Sequence, residues 1–234
     1  MTDIWHQYTK DYYSFFDETQ MALELKYIKI NYNQYLPKDK GSKILEIGFG
    51  RGSFLAYLEK EGYTNYLGIE IGKQQVDFVK EKVTSKVKLV YNTLNFLKKH
   101  KNTYDLIFLS DVIAHIPKEE TIIYFQMIRQ ALNSNGVIVL RTPSITNPFC
   151  LRSLSNDFTY TTYYSYESVR QVLSLSGFNK IIIKEESFNI GLKGYIYQST
   201  LNLCNFLLRP ILILYNRTSN LILTKMMIIV ASNS

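Results

Sequence analysis

Residues 43–55 of the 234-residue chain read K-I-L-E-I-G-F-G-R-G-S-F-L. Ile44–Ile47 is a short apolar run typical of a buried strand, and Ser53–Leu58 has apolar residues at helical spacing. The three glycines between them can take positive φ and let a ligand lie against the backbone, while the unpaired amides of the new helix face the same point. This stretch predicts a strand, a tight turn and a helix that together bind a ligand; a glycine turn without a ligand is the alternative.

The spacing of the glycines distinguishes between nucleotide ligands. A dinucleotide site requires G-x-G-x-x-G, and Ser53 stands where the third glycine of that pattern belongs. Glu46, inside the apolar strand, would repel a diphosphate and attract an ammonium or sulfonium compound. The pattern E-x-G-x-G-x-G after a strand resembles motif I of the class I S-adenosylmethionine (SAM) methyltransferases. The resemblance implies SAM as cofactor, bound in this stretch by Glu46, Gly48, Phe49, Gly50 and Gly52.

The same resemblance implies the fold. It covers residues 40–185 well and the tail loosely, and it predicts an α/β, Rossmann-like, seven-stranded, mostly parallel sheet with an antiparallel last strand. A chain of 234 residues suits one such domain over residues 1–234. Within it we expect an N-terminal helical cap at 1–36, a substrate-loop insertion at 144–166, and an apolar helix and final strand in 190–234. The run Leu221–Val230 is our prediction for that strand.

Composition excludes several function classes. Cys150 and Cys204 lie far apart and indicate neither a disulfide framework nor a metal site, so we expect no metal. The N-terminus has an early acid and no apolar segment typical of a signal peptide, so we expect a cytoplasmic protein.

The charge balance is basic, with 27 Lys and Arg against 20 Asp and Glu. The excess is spread over surface-helix positions, and a solvated face is its ordinary interpretation. The alternative is attraction of an anionic small-molecule substrate. No basic stripe with interleaved aromatic residues is present, so we expect no nucleic-acid partner.

Two further strand ends are candidates for holding the nucleoside. Glu70 ends an apolar run 22 residues after Gly48, where a carboxylate can accept both ribose hydroxyls, and Ile71 follows it. A surface acid that opens the next helix is the alternative. After the strand Val87–Tyr91, related methyltransferases commonly have an Asp for the adenine amino group. Here Asn92 can accept from that amine, with Thr93 beside the ring.

The stretch 104–117 is a buried strand followed by S-D-V-I-A-H-I-P. It resembles the D-V-L-E-H-I-P of many small-molecule methyltransferases, with Ala114 replacing the usual Glu. The methionine end of SAM should therefore lie over Ser110 and Asp111, at the carboxyl edge of the sheet. His115 titrates near neutrality and is a candidate base for the acceptor's proton. The alternative is that it hydrogen-bonds backbone and shapes the floor of the site.

The insertion at 144–166 is too rich in Tyr and Thr for a simple linker, and long loops at this edge usually carry recognition. From residue 156, N-D-F-T-Y-T-T-Y-Y-S-Y resembles the D-F-T-H-E pattern of methyltransferases associated with bacterial surface-polysaccharide synthesis. Asp157 matches and Tyr160 replaces the His. The resemblance implies O-methylation of a sugar or other polysaccharide precursor, with Asp157 and Tyr160 as further catalytic candidates. Core packing of the tyrosines is the alternative.

The run Leu201–Tyr215 is strongly apolar but interrupted by Asn202, Asn205, Arg209 and Pro210, and it is shorter than the roughly 18 residues of a membrane span. We expect it to pack on the sheet. A homodimer face and peripheral membrane contact are the alternatives.

Three other functions stay open at this stage. The chain could methylate nucleic acid or another small metabolite. It could also be a non-catalytic partner protein with a SAM fold, because Asn92, Asn95 and Tyr160 stand where the family has acids and a His.

Overall fold

The computed structural model describes residues 18–150 and 157–233. They form one seven-stranded sheet in the order β3-β2-β1-β4-β5-β7-β6. The strands are β1 (Ile44–Ile47), β2 (Tyr66–Glu70), β3 (Val87–Leu89), β4 (Tyr104–Ser110), β5 (Leu132–Pro143), β6 (Lys180–Glu185) and β7 (Met226–Ser232). Neighbours among β1 to β5 are parallel, and β7 runs antiparallel to both β5 and β6. The predicted fold class is confirmed.

The described part of the chain has seven helices. They are α1 (Glu18–Tyr32), α2 (Ser53–Lys60), α3 (Lys73–Lys82), α4 (Thr93–Lys98), α5 (Lys118–Ala131), α6 (Tyr166–Leu175) and α7 (Gly191–Asn216). Of these, α1 to α6 pack against the sheet or its covering helices. Alternate residues of a strand point to opposite faces. Leu45 and Ile47 accordingly lie in a core cluster with Phe125 of α5 and Leu173 of α6. The other face carries a second cluster, formed with α1, α2 and α3, that includes Ile44.

The position of α7 corrects the expectation that its apolar run packs on the sheet. Asn205 is its one buried residue, and Leu203 and Leu207 are 61% and 63% exposed. The apolar residues surround the helix, so that only one narrow side of it can meet the protein. In the described ranges, none of the helices has the length and apolar character that crossing a membrane requires.

The final strand begins later than predicted, at Met226 instead of Leu221. Residues 221–224 are buried without pairing as a strand, because side chains bond their backbone: the carbonyls of Ile222 and Leu223 accept from the side chains of Ser144 and Asn147. The Leu223 amide donates to Glu185, and the Thr224 hydroxyl donates to the Met226 carbonyl. This segment is apolar because it fills the core, which the apolar pattern alone does not distinguish from a strand.

The insertion after β5 returns to its starting point. Ser144 and Tyr164 form an isolated parallel bridge, and the Ile145 amide donates to the Tyr164 carbonyl. The amides of Thr161 and Thr162 both donate to the carbonyl of Ala114. These bonds hold the end of the insertion against the turn that carries His115. Residues 151–156 of the insertion and 1–17 of the predicted cap lie outside the described residues.

Candidate cofactor and acceptor site

A cavity of about 640 Å³ opens at the carboxyl edge of β1, β2, β4 and β5. Open α/β sheets bind ligands at this edge. The sequence-predicted residues that line it are Glu46, Gly48, Phe49, Gly50, Glu70, Ile71, Thr93, Ser110, Asp111 and His115. Gly52, Asn92, Asp157 and Tyr160 are not part of the lining. The structure thus brings ten of the fourteen candidates together, and the roles of all fourteen stay predictions.

The turn between β1 and α2 depends on glycine. Gly48, Gly50 and Gly52 have φ of 72°, 51° and 77°. A Cβ on Gly48 would lie 2.5 Å from Cγ2 of Val112, and one on Gly52 would lie 2.9 Å from the Val79 methyls. Only residues without a side chain fit such a conformation and such close neighbours. Gly52 therefore shapes the turn on the side that packs against Val79, away from the cavity, while Gly48 and Gly50 form part of the cavity wall.

Two carboxylates meet below this turn. Glu70 accepts from the Gly50 amide at 3.1 Å through Oε2 and from the Ile71 amide at 2.7 Å through Oε1. Glu46 is 3% exposed, and within the described residues its Oε2 has no hydrogen-bond partner. Burial raises the pKa of Glu46 well above its ordinary value, and the charge of Glu70 adds to this. Burial also raises the pKa of Glu70, although the turn amides oppose the shift. A cationic ligand would stabilise both ionised forms.

These features fit the SAM that the sequence resemblance implies. A buried carboxylate oxygen without a partner can accept from the ammonium group of the methionine moiety, and both acids favour a positively charged ligand. Glu70, at the end of β2 beside the turn, lies where a ribose is bound in sheets of this type. The first two glycines give the ligand a wall without side chains.

The predicted adenine contact is less direct. Asn92 is the N-cap of α4, and its Oδ1 accepts from the Asn95 amide at 2.8 Å. The oxygen that the sequence offers to the adenine amine is thus already used by the backbone. Thr93, the next residue, does line the cavity.

A charged cluster that the sequence analysis missed forms another wall. Arg141, at the end of β5, donates to Asp111 at 2.9 Å and lies 3.7 Å from the carboxylate of Glu186. Tyr27 of α1 donates to Glu186 at 2.6 Å, and its ring lies 5.4 Å from the Arg141 guanidinium carbon. Asp111 has φ of 61°, which residues other than glycine rarely adopt. The signal in the sequence was the place of Arg141 directly after a buried strand.

Helix α1 forms the cover of this wall. Asn31 exchanges two hydrogen bonds with the backbone of Ser187, donating to its carbonyl at 2.9 Å and accepting from its amide at 2.8 Å. Glu24 bonds the Ser53 hydroxyl at the start of α2. With the bond from Tyr27 to Glu186, these contacts attach the helix at three points, and Glu24, Tyr27, Ile28 and Tyr32 line the cavity.

His115 is joined to the insertion by a hydrogen-bonded chain. Its Nδ1 lies 2.9 Å from Thr159 Oγ1, and the Thr159 hydroxyl donates to Asp157 Oδ1 at 2.5 Å. Because the hydroxyl proton is committed to Asp157, this arrangement assigns the His115 proton to Nδ1. Burial lowers the pKa of His115, and the charge of Asp157 opposes that shift. The Tyr160 ring lies 5.0 Å from the imidazole, so Asp157 and Tyr160 contact the cavity only through His115.

Metal chemistry finds no support in the described residues, which contain no group of three His, Cys, Asp or Glu able to hold an ion.

Comparison with known proteins places this geometry in context. A family model described as a methyltransferase domain matches residues 19–182. The chain is similar to the phosphoethanolamine N-methyltransferase of Plasmodium falciparum, with 23% identity over 154 residues, which are 64% of this chain and 58% of that protein. The chain thus spans little more than half the length of this curated relative.

Solved structures share the fold. A SAM-dependent methyltransferase from Archaeoglobus fulgidus superposes with a TM-score of 0.65 at 20% identity, over 89% of this chain and 93% of that chain. Haemonchus contortus phosphoethanolamine N-methyltransferase 2, in complex with phosphomonomethylethanolamine and S-adenosylhomocysteine, superposes with a TM-score of 0.57 at 16% identity. That match covers 94% of this chain and 59% of the other.

Proposed function

The chain belongs to this methyltransferase family, within the class I SAM-dependent methyltransferases, and from that premise we propose that it methylates a hydroxyl group of a sugar-linked small molecule, a precursor of bacterial surface polysaccharide. The observation that carries the proposal is the chain from His115 through Thr159 to Asp157 at the cavity edge. A hydroxyl must lose its proton on methylation, and this hydrogen-bonded series of side chains provides a base. Its last two members come from the insertion whose sequence resembles that of polysaccharide-associated methyltransferases.

In this proposal the glycine turn and the two acids below it hold the cofactor. Glu46 and Glu70 provide negative charge, and Gly48 and Gly50 provide a wall without side chains. When bound, SAM supplies a methyl group on a positively charged sulfur. Ser110 and Asp111 line the same cavity at the end of β4, on the path towards His115.

His115 acts as the base. With its proton on Nδ1, Nε2 accepts the proton that the acceptor hydroxyl loses. The Thr159 hydroxyl and the Asp157 carboxylate then stabilise the positive imidazolium. The lowered pKa of His115 keeps the ring neutral, and so able to accept a proton, near neutral pH. Tyr160 packs beside the ring and fixes its orientation.

The charges in the cavity restrict which part of the acceptor enters. Its two arginines are already paired, Arg51 with Glu24 and Arg141 with Asp111. The described part of the lining therefore has no excess positive charge for a phosphate, and the proposed acceptor inserts an uncharged sugar. Its anionic group, which the basic composition favours, stays outside the cavity. A cytoplasmic location belongs to the same proposal, since nucleotide-linked sugars are found there.

The test is mass spectrometry of a nucleotide-sugar panel incubated with the enzyme and isotopically labelled SAM. We expect one sugar to gain a labelled methyl group on oxygen, and His115→Ala to abolish this gain while SAM binding persists. Transfer to tRNA, with binding that weakens steeply in salt, would favour a nucleic-acid acceptor instead. Calorimetry without SAM binding at millimolar concentration would support the non-catalytic partner and contradict the enzyme.

A second candidate acceptor is a phosphorylated amine. The Plasmodium and Haemonchus relatives are phosphoethanolamine N-methyltransferases by name. Among the described residues of the lining, the acids Glu24, Glu46, Glu70 and Asp111 outnumber the two arginines, and this charge suits an ammonium group, although the paired arginines leave the phosphate of such an acceptor without a counter-charge inside the cavity. Phosphoethanolamine in the same assay distinguishes the two candidates, because the labelled methyl group would then appear on nitrogen.

A further inference from the structure

Helix α7 has its most apolar side where it is most exposed. Five aliphatic residues recur four or seven positions apart and so form one row along the helix. Their exposed fractions lie between 59% and 77%, and they are Leu192, Ile196, Leu203, Leu207 and Leu214. The opposite row, Gly194, Gln198, Leu201, Asn205, Leu208 and Leu212, is partly or fully buried against the protein. The helix therefore presents an apolar ridge to its surroundings.

The sides of the ridge are largely apolar as well, with Ser199 and Thr200 as exposed but uncharged exceptions. Tyr195, Phe206 and Ile213 flank it on one side, and Ile211 and Tyr215 on the other, all at least one-third exposed. A seam for a partner helix is a narrow stripe with charged residues beside it. This arc is wide, and Lys193 is the one exposed charge on the helix. An apolar surface of this width suits the hydrocarbon of a lipid surface better than the narrow contact made by a second helix.

The charges in the sequence of α7 and of the segment after it are of one sign, and the acids near them, Glu185 and Glu167, belong to other elements and bond to Arg209 and Thr218. After Glu186 the sequence contains Lys193, Arg209, Arg217 and Lys225 and no acidic residue. Arg209 pairs with Glu185, and the other three are exposed. A second copy of this chain would bring the same local charge and the same net +7, which opposes association. An anionic surface would instead attract all of them.

We propose that α7 is an interfacial anchor that lies flat on an anionic lipid surface, with the ridge immersed among the acyl chains and Lys193, Arg217 and Lys225 against the head groups. Helices with a wide apolar side and basic neighbours bind membranes in this way. Tyrosines near both ends, Tyr195 and Tyr215, have the amphipathic character favoured at the membrane interface. The proposal does not depend on the acceptor proposed above.

The test is cosedimentation of the purified full chain with vesicles of phosphatidylcholine, with and without phosphatidylglycerol. We expect binding to the phosphatidylglycerol vesicles that weakens with salt. Replacing two of the ridge leucines, Leu203→Gln with Leu207→Gln, should lower the partition coefficient about tenfold or more, because two leucines that membrane binding would bury are lost. Lys193→Gln should lower binding to phosphatidylglycerol vesicles about fivefold, with little effect on plain phosphatidylcholine.

The matched control replaces two equally exposed aliphatic residues away from α7, Leu175→Gln with Ile182→Gln, and should leave vesicle binding unchanged. Thermal midpoints and SAM binding show that all variants are folded. Vesicle binding that survives the ridge substitutions would refute the proposal. A wild-type protein that does not bind the vesicles would also refute it. If that protein is a dimer and the ridge substitutions convert it to a monomer, the ridge contacts a second copy of the chain instead of a membrane.

Discussion

Glu46→Gln should raise the stability of the protein and weaken its binding of SAM. The carboxylate is buried, and its Oε2 lacks a hydrogen-bond partner among the described residues. A buried polar group without a partner costs about 1–3 kcal/mol, and more when it is charged. Gln has nearly the same shape and no charge. A gain of about 1–3 kcal/mol corresponds to a rise in thermal midpoint of about 2–10 °C for a chain of this length.

The pH dependence of this gain follows from the raised pKa of Glu46. The folded state holds the proton more tightly than the unfolded state, so the wild type loses stability as pH rises through the folded-state pKa. The variant has no such loss. Its advantage should therefore be largest above the raised folded-state pKa of Glu46 and vanish below the ordinary carboxyl range. Glu120→Gln, at an exposed position of α5, is the matched control and should show neither effect.

SAM affinity should move in the opposite direction. The variant loses a charge-assisted hydrogen bond to the ligand, which corresponds to about ten- to hundredfold in dissociation constant. Differential scanning calorimetry across pH and titration calorimetry with SAM measure the two quantities. A lower midpoint at all pH values would refute the electrostatic reasoning, and unchanged SAM affinity would refute the proposed contact.

Four other substitutions test the rest of the site. His115→Ala should lower kcat by about 10²–10⁴-fold with little change in SAM binding. Asp157→Asn should move the acid limb of the pH–rate profile to lower pH, because the carboxylate raises the pKa of His115 against the effect of burial. An acid limb that does not move would exclude a role for Asp157 in setting the protonation of His115. Gly48→Ala should lower the free energy of unfolding, measured with denaturant, by about 2–4 kcal/mol, because the new Cβ is strained at positive φ and clashes with Val112. Adding Val112→Ala should remove the clash and restore that share of the loss. Arg141→Met should lower the free energy of unfolding by about 3 kcal/mol, because Asp111 and Glu186 lose their counter-charge. Unchanged stability would show that the two carboxylates become hydrated instead.

The cofactor half of the site could be predicted because its information is local. A strand, three glycines and a helix follow one another in sequence, and Glu70 lies at the end of the next strand. Parallel strands bring their carboxyl ends to one edge, so the turn and Glu70 had to meet once the fold class was known. The Gly50 amide bonded to Glu70 is the direct result.

The charged wall of the cavity could not be predicted, because its residues come from distant elements. Tyr27, Arg141 and Glu186 meet only after α1 covers the cavity and β6 takes its place at the sheet edge. Asn92 shows a different limit, since a side-chain amide can serve a ligand or its own helix, and the sequence does not say which. For α7 the apolar pattern predicted burial. A helix with apolar residues around most of its circumference nevertheless packs on the protein along one side only, and the rest stays exposed.

The bridge between Ser144 and Tyr164 also has an evolutionary consequence. The chain leaves the sheet and comes back at neighbouring points, so the span between them can change length or sequence while its two ends stay fixed. The entropic cost of lengthening such a closed loop is small, about 0.6 kcal/mol for each doubling. Relatives can therefore vary this span without rebuilding the glycine turn and the two acids below it. Under the function proposed above, a foreign loop grafted between these two residues must keep Asp157 and Thr159, which hold His115, while its other residues change what the enzyme methylates.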